Sequence, residues 1–229
     1  MPNKTYITPD LFEFFRELKA HNSRDWFASN KQRYEEVVLE PLLKFIADFA
    51  EPLEGISRHF AADPRRQGGS LFRIHRDTRF AKDKSPYKTA AGIHFRHRAA
   101  NNAHTPGFYL HLEPNNVFVG AGIWKPDSSA LAKIRDAIVA KPDSWKKLVS
   151  DQNLASRFQF DGDKTRSTPR GFDAAHPCIE DIKRKDFIIV AHLDEKQVCS
   201  PQWFAHYAEL CEQCKPLMRF LTAALELPW

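Results

Sequence analysis

The fold class of this chain follows from residues 106–124, which read PGFYLHLEPNNVFVGAGIW. Apolar residues recur at every second position on both sides of residues 113–116, EPNN, and this period is typical of strands with one buried face. Proline and asparagine are turn-forming residues. We therefore predict two adjacent antiparallel strands, residues 108–113 and 117–124, joined by a connection too short for a parallel crossover.

The same period assigns each side chain to one face of the predicted sheet. Tyr109, His111 and Glu113 point away from the apolar face of the first strand, and Gly120 and Gly122 point away from that of the second. Residues 92–98 and 71–75 also alternate, which predicts two more strands that carry charged and histidine side chains on the outer face. These outward side chains are His94, Arg96, Arg98, Arg73 and His75.

Helical periodicity surrounds this meander on both sides. The predicted helices cover residues 9–20, 24–49 with a kink at Pro41, 129–140, 142–149, 179–183 and 201–227 with a kink at Pro216. Residues 157–160 and 187–193 are predicted as further strands. We therefore predict an α+β fold that forms a single domain over residues 1–229. Its sheet is mainly antiparallel, a meander of about four strands plus one or two more, packed by N- and C-terminal helices.

The composition is typical of a globular protein, and we predict a cytoplasmic location without membrane association. Hydrophobic residues make up 42% of the 229 positions and aromatic residues 12%, enough for a sizeable core. Residues 1–5 lack the apolar core of a signal peptide, and no apolar run reaches the roughly 18 residues of a membrane span. Cys211 and Cys214 lie inside a predicted helix, so we expect buried, reduced side chains and no redox pair.

Positive charge is concentrated between residues 73 and 98. This segment contains eight Lys and Arg residues and two Asp residues, whereas the net charge of the whole chain is +5, so the remainder is slightly acidic. Like charges on neighbouring strands repel one another unless an anion or a carboxylate lies among them. The basic segment is therefore the predicted ligand site.

The predicted ligand is a small molecule that carries a phosphate or carboxylate group, because arginine and lysine bind these groups well. His111 and Glu113 are the candidate catalytic acid and base, since histidine transfers protons near neutral pH. The sequence leaves open whether the ligand is only bound or also transformed, and it predicts no cofactor. The predicted ligand-binding residues are Arg73, Arg76, Arg79, Lys84, Lys88, Arg96 and Tyr109.

Four other interpretations of the same surface remain open. Asp77 and Asp83 would neutralise neighbouring cations if residues 76–89 form an ordered, salt-bridged connection with Phe80 and Tyr87 as apolar anchors. The two aromatic residues would instead stack on bases if the partner is a nucleic acid, which is the less favoured partner. The surface could also meet an acidic protein. A metal site is the fourth interpretation, although no HxxxH or HExxH motif is present and no metal is predicted. The side chains available to a metal are His75, His94, His111 and Glu113.

Several motifs resemble the signature of the domain of unknown function 2461 family. The most specific is FRIHRDTRFAKDKSPYKT at residues 72–89, in which Ala81 departs from the serine that the family more often has. The resemblance covers about residues 8–227. It implies one domain in an intracellular bacterial or fungal protein and assigns no catalytic residues. The other matching segments are residues 22–27 with Asn30, Lys31 and Tyr34, residues 106–114, residues 169–173, His176 with Pro177, and residues 185–187.

Overall fold

A computed structural model of the chain describes residues 4–99 and 105–229. Of residues 1–5, which lack the apolar core of a signal peptide, the first three lie outside the described residues. The strands are β1 (Ala91–Arg96), β2 (Gly107–Glu113), β3 (Asn116–Ile123), β4 (Gln159–Asp161) and β5 (Phe187–Leu193). The helices are α1 (Pro9–Ala20), α2 (Arg24–Ser29), α3 (Lys31–Tyr34), α4 (Glu40–Asp48), α5 (Ala50–Ile56), α6 (Ser128–Ala140), α7 (Pro142–Val149), α8 (Gln152–Ala155), α9 (Ile179–Ile182), α10 (Glu195–Val198), α11 (Trp203–Gln213) and α12 (Lys215–Ala224).

The five strands form one antiparallel sheet in the order β1-β2-β3-β5-β4. Strands β1, β2 and β3 follow one another in space as they do in sequence, so the predicted meander and the α+β class are confirmed. The predicted assignment of alternate side chains to opposite faces is also confirmed for these three strands, because Phe108 pairs with Phe95 and Ala121 while Tyr109 pairs with His94 and Gly120. Each set of cross-strand partners shares one face of the sheet.

One face of the sheet is buried against helices. Phe95 of β1 contacts the rings of Phe49, which follows α4, and Tyr207 of α11, with centroids 5.0 and 6.2 Å apart. A single hydrophobic cluster extends from Tyr6 to Leu221, as the predicted single domain requires. In the part of the chain that the structure describes, no helix has the length and apolar character needed to cross a membrane.

The two predicted helix kinks take different forms. A π-helical turn, Glu35–Leu39, precedes Pro41, whose ring nitrogen has no hydrogen to donate to an i−4 carbonyl. The C-terminal helix is divided at Cys214, and Pro216 is the second residue of α12. Cys211 and Cys214 are free and buried, as predicted, and burial raises the pKa of both thiols.

The prediction of a strand at residues 71–75 is wrong. This segment makes two isolated bridges, from Leu71 to Ile93 of β1 and from His75 to Tyr87. The backbone N–H of Phe72 donates to Gly92 at 2.9 Å, whereas the carbonyl of Ile74 accepts from Lys88 at 2.8 Å. The segment changes its pairing partner after two residues, so no continuous ladder forms. The strand predicted at 92–98 likewise ends at Arg96.

Two of the motifs named above meet at the N-terminal helices. The side-chain amide of Asn22 accepts from the backbone N–H of Tyr87 at 3.1 Å and donates to the Tyr87 carbonyl at 3.0 Å. The Tyr87 ring stacks on Phe27 of α2, with centroids 4.1 Å apart and planes inclined by 20°. These contacts fix the end of the basic loop against the helical layer.

Alanine should destabilise the protein at one glycine of β3 and be tolerated at another. Gly122 has φ +127° and a Cβ atom there would overlap the Phe187 carbonyl oxygen, whereas a Cβ at Gly120 would meet Val190 at an ordinary 3.9 Å. We expect Gly122→Ala to lower the free energy of unfolding by about 2 kcal/mol or more. Gly120→Ala should change it by less than about 0.5 kcal/mol. Urea denaturation of both variants checks this, and equal losses would contradict it.

Candidate functional site

The outer face of the sheet carries the polar residues that sequence parity placed there. His111 of β2 lies opposite Gly92 of β1 and Phe118 of β3, and Tyr109 lies opposite His94 and Gly120. Because glycine has no side chain, the surface is recessed where β1 and β3 carry it. This face therefore combines large aromatic rings with bare backbone.

A cavity of about 380 Å³ occupies this recess. Its size is at the lower end of the range for small-molecule sites, and most of its walls are aromatic or aliphatic with a few polar groups, the usual composition of such sites. The principal wall residues are Phe72, His94, Tyr109, His111, Phe118, Gly120, Trp124, Asp161, Ile188 and Val190.

Three side chains of β2 form a hydrogen-bonded row along one wall. The Tyr109 hydroxyl lies 3.1 Å from Nδ1 of His111, and Nε2 of His111 lies 3.3 Å from Oε2 of Glu113. Asn116 donates to the same carboxylate oxygen at 3.1 Å. Burial, and then the negative charge of Glu113, raise the pKa of Tyr109 to about 12. Tyr109 therefore keeps its proton at neutral pH. In the tautomer of neutral His111 that directs its Nε2 hydrogen at the Glu113 carboxylate, Nδ1 accepts from the Tyr109 hydroxyl.

A glycine of the neighbouring strand β1 makes room for this row, and a glycine of β2 makes room for His94. A Cβ atom at Gly92 would stand 2.5 Å from the Tyr109 hydroxyl, so this glycine allows the hydroxyl to lie over β1 within reach of His111. Gly107 has the same relation to His94, whose ring occupies the space that a Cβ would need. Both positions are close approaches that only glycine permits.

His94 forms a polar but uncharged part of the cavity wall. Its exposed fraction is 9%, and its ring lies 6.1 Å from Phe72 and 6.2 Å from Tyr109 between centroids. Burial, and then the positive charge of Arg96, lower the pKa of His94 to about 4. The imidazole is therefore neutral at physiological pH and can both donate and accept a hydrogen bond.

The structure divides the predicted basic residues into two groups, of which the first is held by contacts within its own loop. Arg76 pairs with Asp83, and Arg79 donates to Asp77 at 2.7 Å, while Lys84 donates to the Thr78 carbonyl at 2.9 Å. The hydrogen bonds from Arg79 lower the pKa of Asp77 to about 2. These three cations stabilise their own loop, as the salt-bridged interpretation predicts, and none lines the cavity.

The second group is Arg73, Lys88 and Arg96, none of which is itself a wall residue of the cavity, although Lys88 contacts the wall residue Phe72. The ammonium of Lys88 lies over the Phe72 ring, 5.4 Å from its centroid, and burial followed by repulsion from Arg73 lowers the pKa of Lys88. Arg96 shares the outer face with His94 and donates to the Gly68 carbonyl at 3.5 Å. Among residues 4–99 and 105–229, neither Arg73 nor Lys88 forms an ion pair with a carboxylate.

Several sequence interpretations are corrected by this arrangement. His75 packs against Tyr87 and Phe27 instead of joining His94 and His111, and within the described residues no three His, Cys, Asp or Glu side chains are grouped to hold a metal ion. Phe80 is not an anchor, because it is 95% exposed. Tyr87 does anchor the loop, and its burial keeps it from stacking on bases.

Sequence reasoning missed three aromatic walls of the cavity, those of Phe72, Phe118 and Trp124. Phe118 lies between Val117 and Val119, whose burial assigns it to the outer face, so an outward aromatic side chain was the available signal. Phe72 was placed on the inner face because residues 71–75 were expected to continue the sheet. No sequence signal identified it.

Acid should destabilise the protein partly through His94. Its folded-state pKa of about 4 lies below the usual value near 6.5, so its stabilising effect is complete above about pH 6.5 and is lost as the pH falls toward 4. Relative to His94→Gln, we expect the wild type to lose about 2 kcal/mol more unfolding free energy between pH 7 and pH 5. Urea denaturation at both pH values checks this, and parallel losses in the two proteins would contradict it.

Comparison with known proteins agrees with the motifs quoted above. No curated protein and no solved structure matches the chain. A family model described as a conserved hypothetical protein, DUF2461, matches residues 10–220. Because this match includes the basic loop, the five strands of the sheet and most of the helices, the chain belongs to the DUF2461 family of conserved hypothetical proteins.

Proposed function

We propose that this protein binds a small molecule that has an apolar body and an anionic group. The observation that carries the proposal is the recessed, largely apolar cavity on the outer face of the sheet, whose polar side chains are those of His94, Thr105, Tyr109, His111 and Asp161. Apolar walls with a few directed polar groups are typical of small-molecule sites. The body of the ligand would lie between Phe72 and Phe118.

The anionic group would lie at the β1 edge of the cavity. Arg73 and Lys88 repel each other there, and Lys88 is partly desolvated over Phe72, so a phosphate or carboxylate would relieve an unfavourable interaction. Arg96 lies on the same face. Arg76, Arg79 and Lys84 are poorer candidates than the sequence predicted, because their charges and donors are already used within the loop.

The proposal leaves a catalytic role to His111 and Glu113, whose hydrogen bond suits them to proton transfer. It needs no cofactor. We also propose a cytoplasmic location, since a reducing compartment suits the four free cysteines.

A change at Gly120 tests the cavity without disturbing the fold. Gly120→Val would direct a branched side chain into the cavity, whereas Gly120→Ala adds only a methyl group and is the matched control. With millimolar phenyl phosphate or 1-naphthoate we expect the wild type and Gly120→Ala to gain a few degrees in Tm, because a ligand at about 100 Kd stabilises by about 2.7 kcal/mol. Gly120→Val should gain nothing. An equal gain in all three proteins, or none in the wild type, would refute the cavity as the binding site.

Charge variants separate the two groups of cations. We expect Arg73→Gln with Lys88→Gln to weaken the binding of phenyl phosphate by about a hundredfold, because each of the two charge-assisted contacts contributes about 1.5 kcal/mol or more. Arg79→Gln is the matched control and should bind as the wild type does, since Arg79 is paired with Asp77. Calorimetric titration measures both. A larger loss in Arg79→Gln would move the anion site to the loop.

Nucleic-acid binding is a second candidate, favoured by the exposure of Phe80. The Arg79 guanidinium lies 5.9 Å from the Phe80 ring, and Lys82 is exposed nearby, so one base could stack beside two cations. Gel shifts with single-stranded oligonucleotides at 50 and 200 mM salt test it. This candidate requires tighter binding at low salt that Phe80→Ala reduces, and absence of a shift at both salt concentrations would remove it.

A further inference from the structure

We infer that Tyr109, His111 and Glu113 form a base relay that removes a proton from an acidic hydroxyl of a planar, aromatic or enolic ligand bound in the cavity. This inference rests on the proposed function, because it requires a small molecule in that cavity. It adds the direction of proton movement, the group that touches the ligand and the chemical class of the ligand.

The hydrogen bonds define the direction of the relay. The Tyr109 hydroxyl lies 3.1 Å from Nδ1 of His111, and Nε2 of His111 lies 3.3 Å from the Glu113 carboxylate. With the hydrogen of neutral His111 on Nε2, Tyr109 donates to Nδ1 and His111 donates to Glu113. The oxygen of Tyr109 retains lone pairs that accept a hydrogen from a ligand hydroxyl. A hydroxyl bound there donates into a chain in which each donor is polarised by the next acceptor.

The proton balance of this step is complete without a further reactant. The ligand O–H bond breaks as its proton passes to the oxygen of Tyr109, while the proton of Tyr109 passes to Nδ1 of His111. The ligand becomes an oxyanion, Tyr109 is regenerated and His111 becomes an imidazolium ion. The carboxylate of Glu113 stabilises the imidazolium. Asn116 donates to this carboxylate at 3.1 Å and holds the carboxylate in place.

The walls of the cavity favour a flat ligand. The His111 imidazole stacks on Phe118, with centroids 4.7 Å apart and planes inclined by 17°, and Phe72 lies 6.1 Å from the Tyr109 ring. Aromatic rings pack on such surfaces in offset or edge-on geometry. A phenol or a conjugated enol presents both a flat apolar body and an acidic hydroxyl.

Gly92 is a positioning residue for this relay. A Cβ atom there would stand 2.5 Å from the Tyr109 hydroxyl and 3.1 Å from the Phe72 ring, so a methyl group would push the hydroxyl away from His111. Gly92→Ala thus separates Tyr109 from His111 while leaving both side chains in the protein.

The test uses 4-nitrophenol, because its phenol and phenolate forms absorb at different wavelengths and report the proton directly. In the wild type we expect the apparent pKa of the bound probe to fall by about one unit or more below that of the free probe. Tyr109→Phe, which keeps the ring, and Gly92→Ala should bind the probe but return its apparent pKa to near the free value. Glu113→Gln should give an intermediate shift, because the imidazolium loses its counter-charge.

Two control variants make the outcomes distinguishable. His94 is the other ionisable ring beside Tyr109 and lines the cavity, so His94→Gln should weaken binding of the probe but retain the pKa shift of the bound probe if the relay runs through His111. Gly120→Val should abolish binding of the probe. Binding without a pKa shift in the wild type, or a shift that survives in Tyr109→Phe, would overturn the relay and leave the cavity proposal standing. Failure of the wild type to bind both 4-nitrophenol and the anionic probes would overturn the cavity proposal itself.

Discussion

Strand β2 pairs with β1 on one side and β3 on the other, and its side chains alternate strictly between the two faces of the sheet. Phe108, Leu110 and Leu112 are fully buried, so a shift of one residue would expose all three. The register of β2 is therefore fixed by the hydrophobic core. Because that register is fixed, Tyr109, His111 and Glu113 must lie in one row on the outer face, where they form a hydrogen-bonded chain.

Glycines, which have no side chain, shape the candidate site as much as its polar and aromatic residues do. Gly120 leaves space in front of Tyr109, and Gly92 and Gly107 allow the Tyr109 hydroxyl and the His94 ring to lie directly over neighbouring backbone. Valine at these positions would fill the outer face and produce an ordinary two-sided sheet. The cavity thus follows from glycine on strands whose other face is fully packed.

The cations of the basic segment differ in whether an aspartate lies close enough to form an ion pair. Asp77 lies two residues before Arg79, and the loop returns Asp83 to Arg76, so these charges neutralise one another in solvent. Arg73 and Lys88 stand outside this closed loop, at its two ends, where backbone pairing brings them together beside Phe72. The net charge of the segment therefore does not show which cations are paired with acids, and it is Lys88 among the cations without an ion pair that contacts the cavity-wall residue Phe72.

The period of two by itself determined the meander, the face of each β2 side chain and the glycines opposite them, because strand parity is a local property of the backbone. Helix spacing likewise predicted the burial of Cys211 and Cys214. Tertiary structure alone decided that residues 71–75 change pairing partner, that Phe80 is exposed while Tyr87 is held by Asn22 and Phe27, and which cations are neutralised. The pairing of residues 71–75 and the burial of Tyr87 depend on contacts between segments distant in sequence, so a pattern within one segment shows only one of the two partners. The Asp77–Arg79 pair is local, but its formation depends on the conformation of the loop.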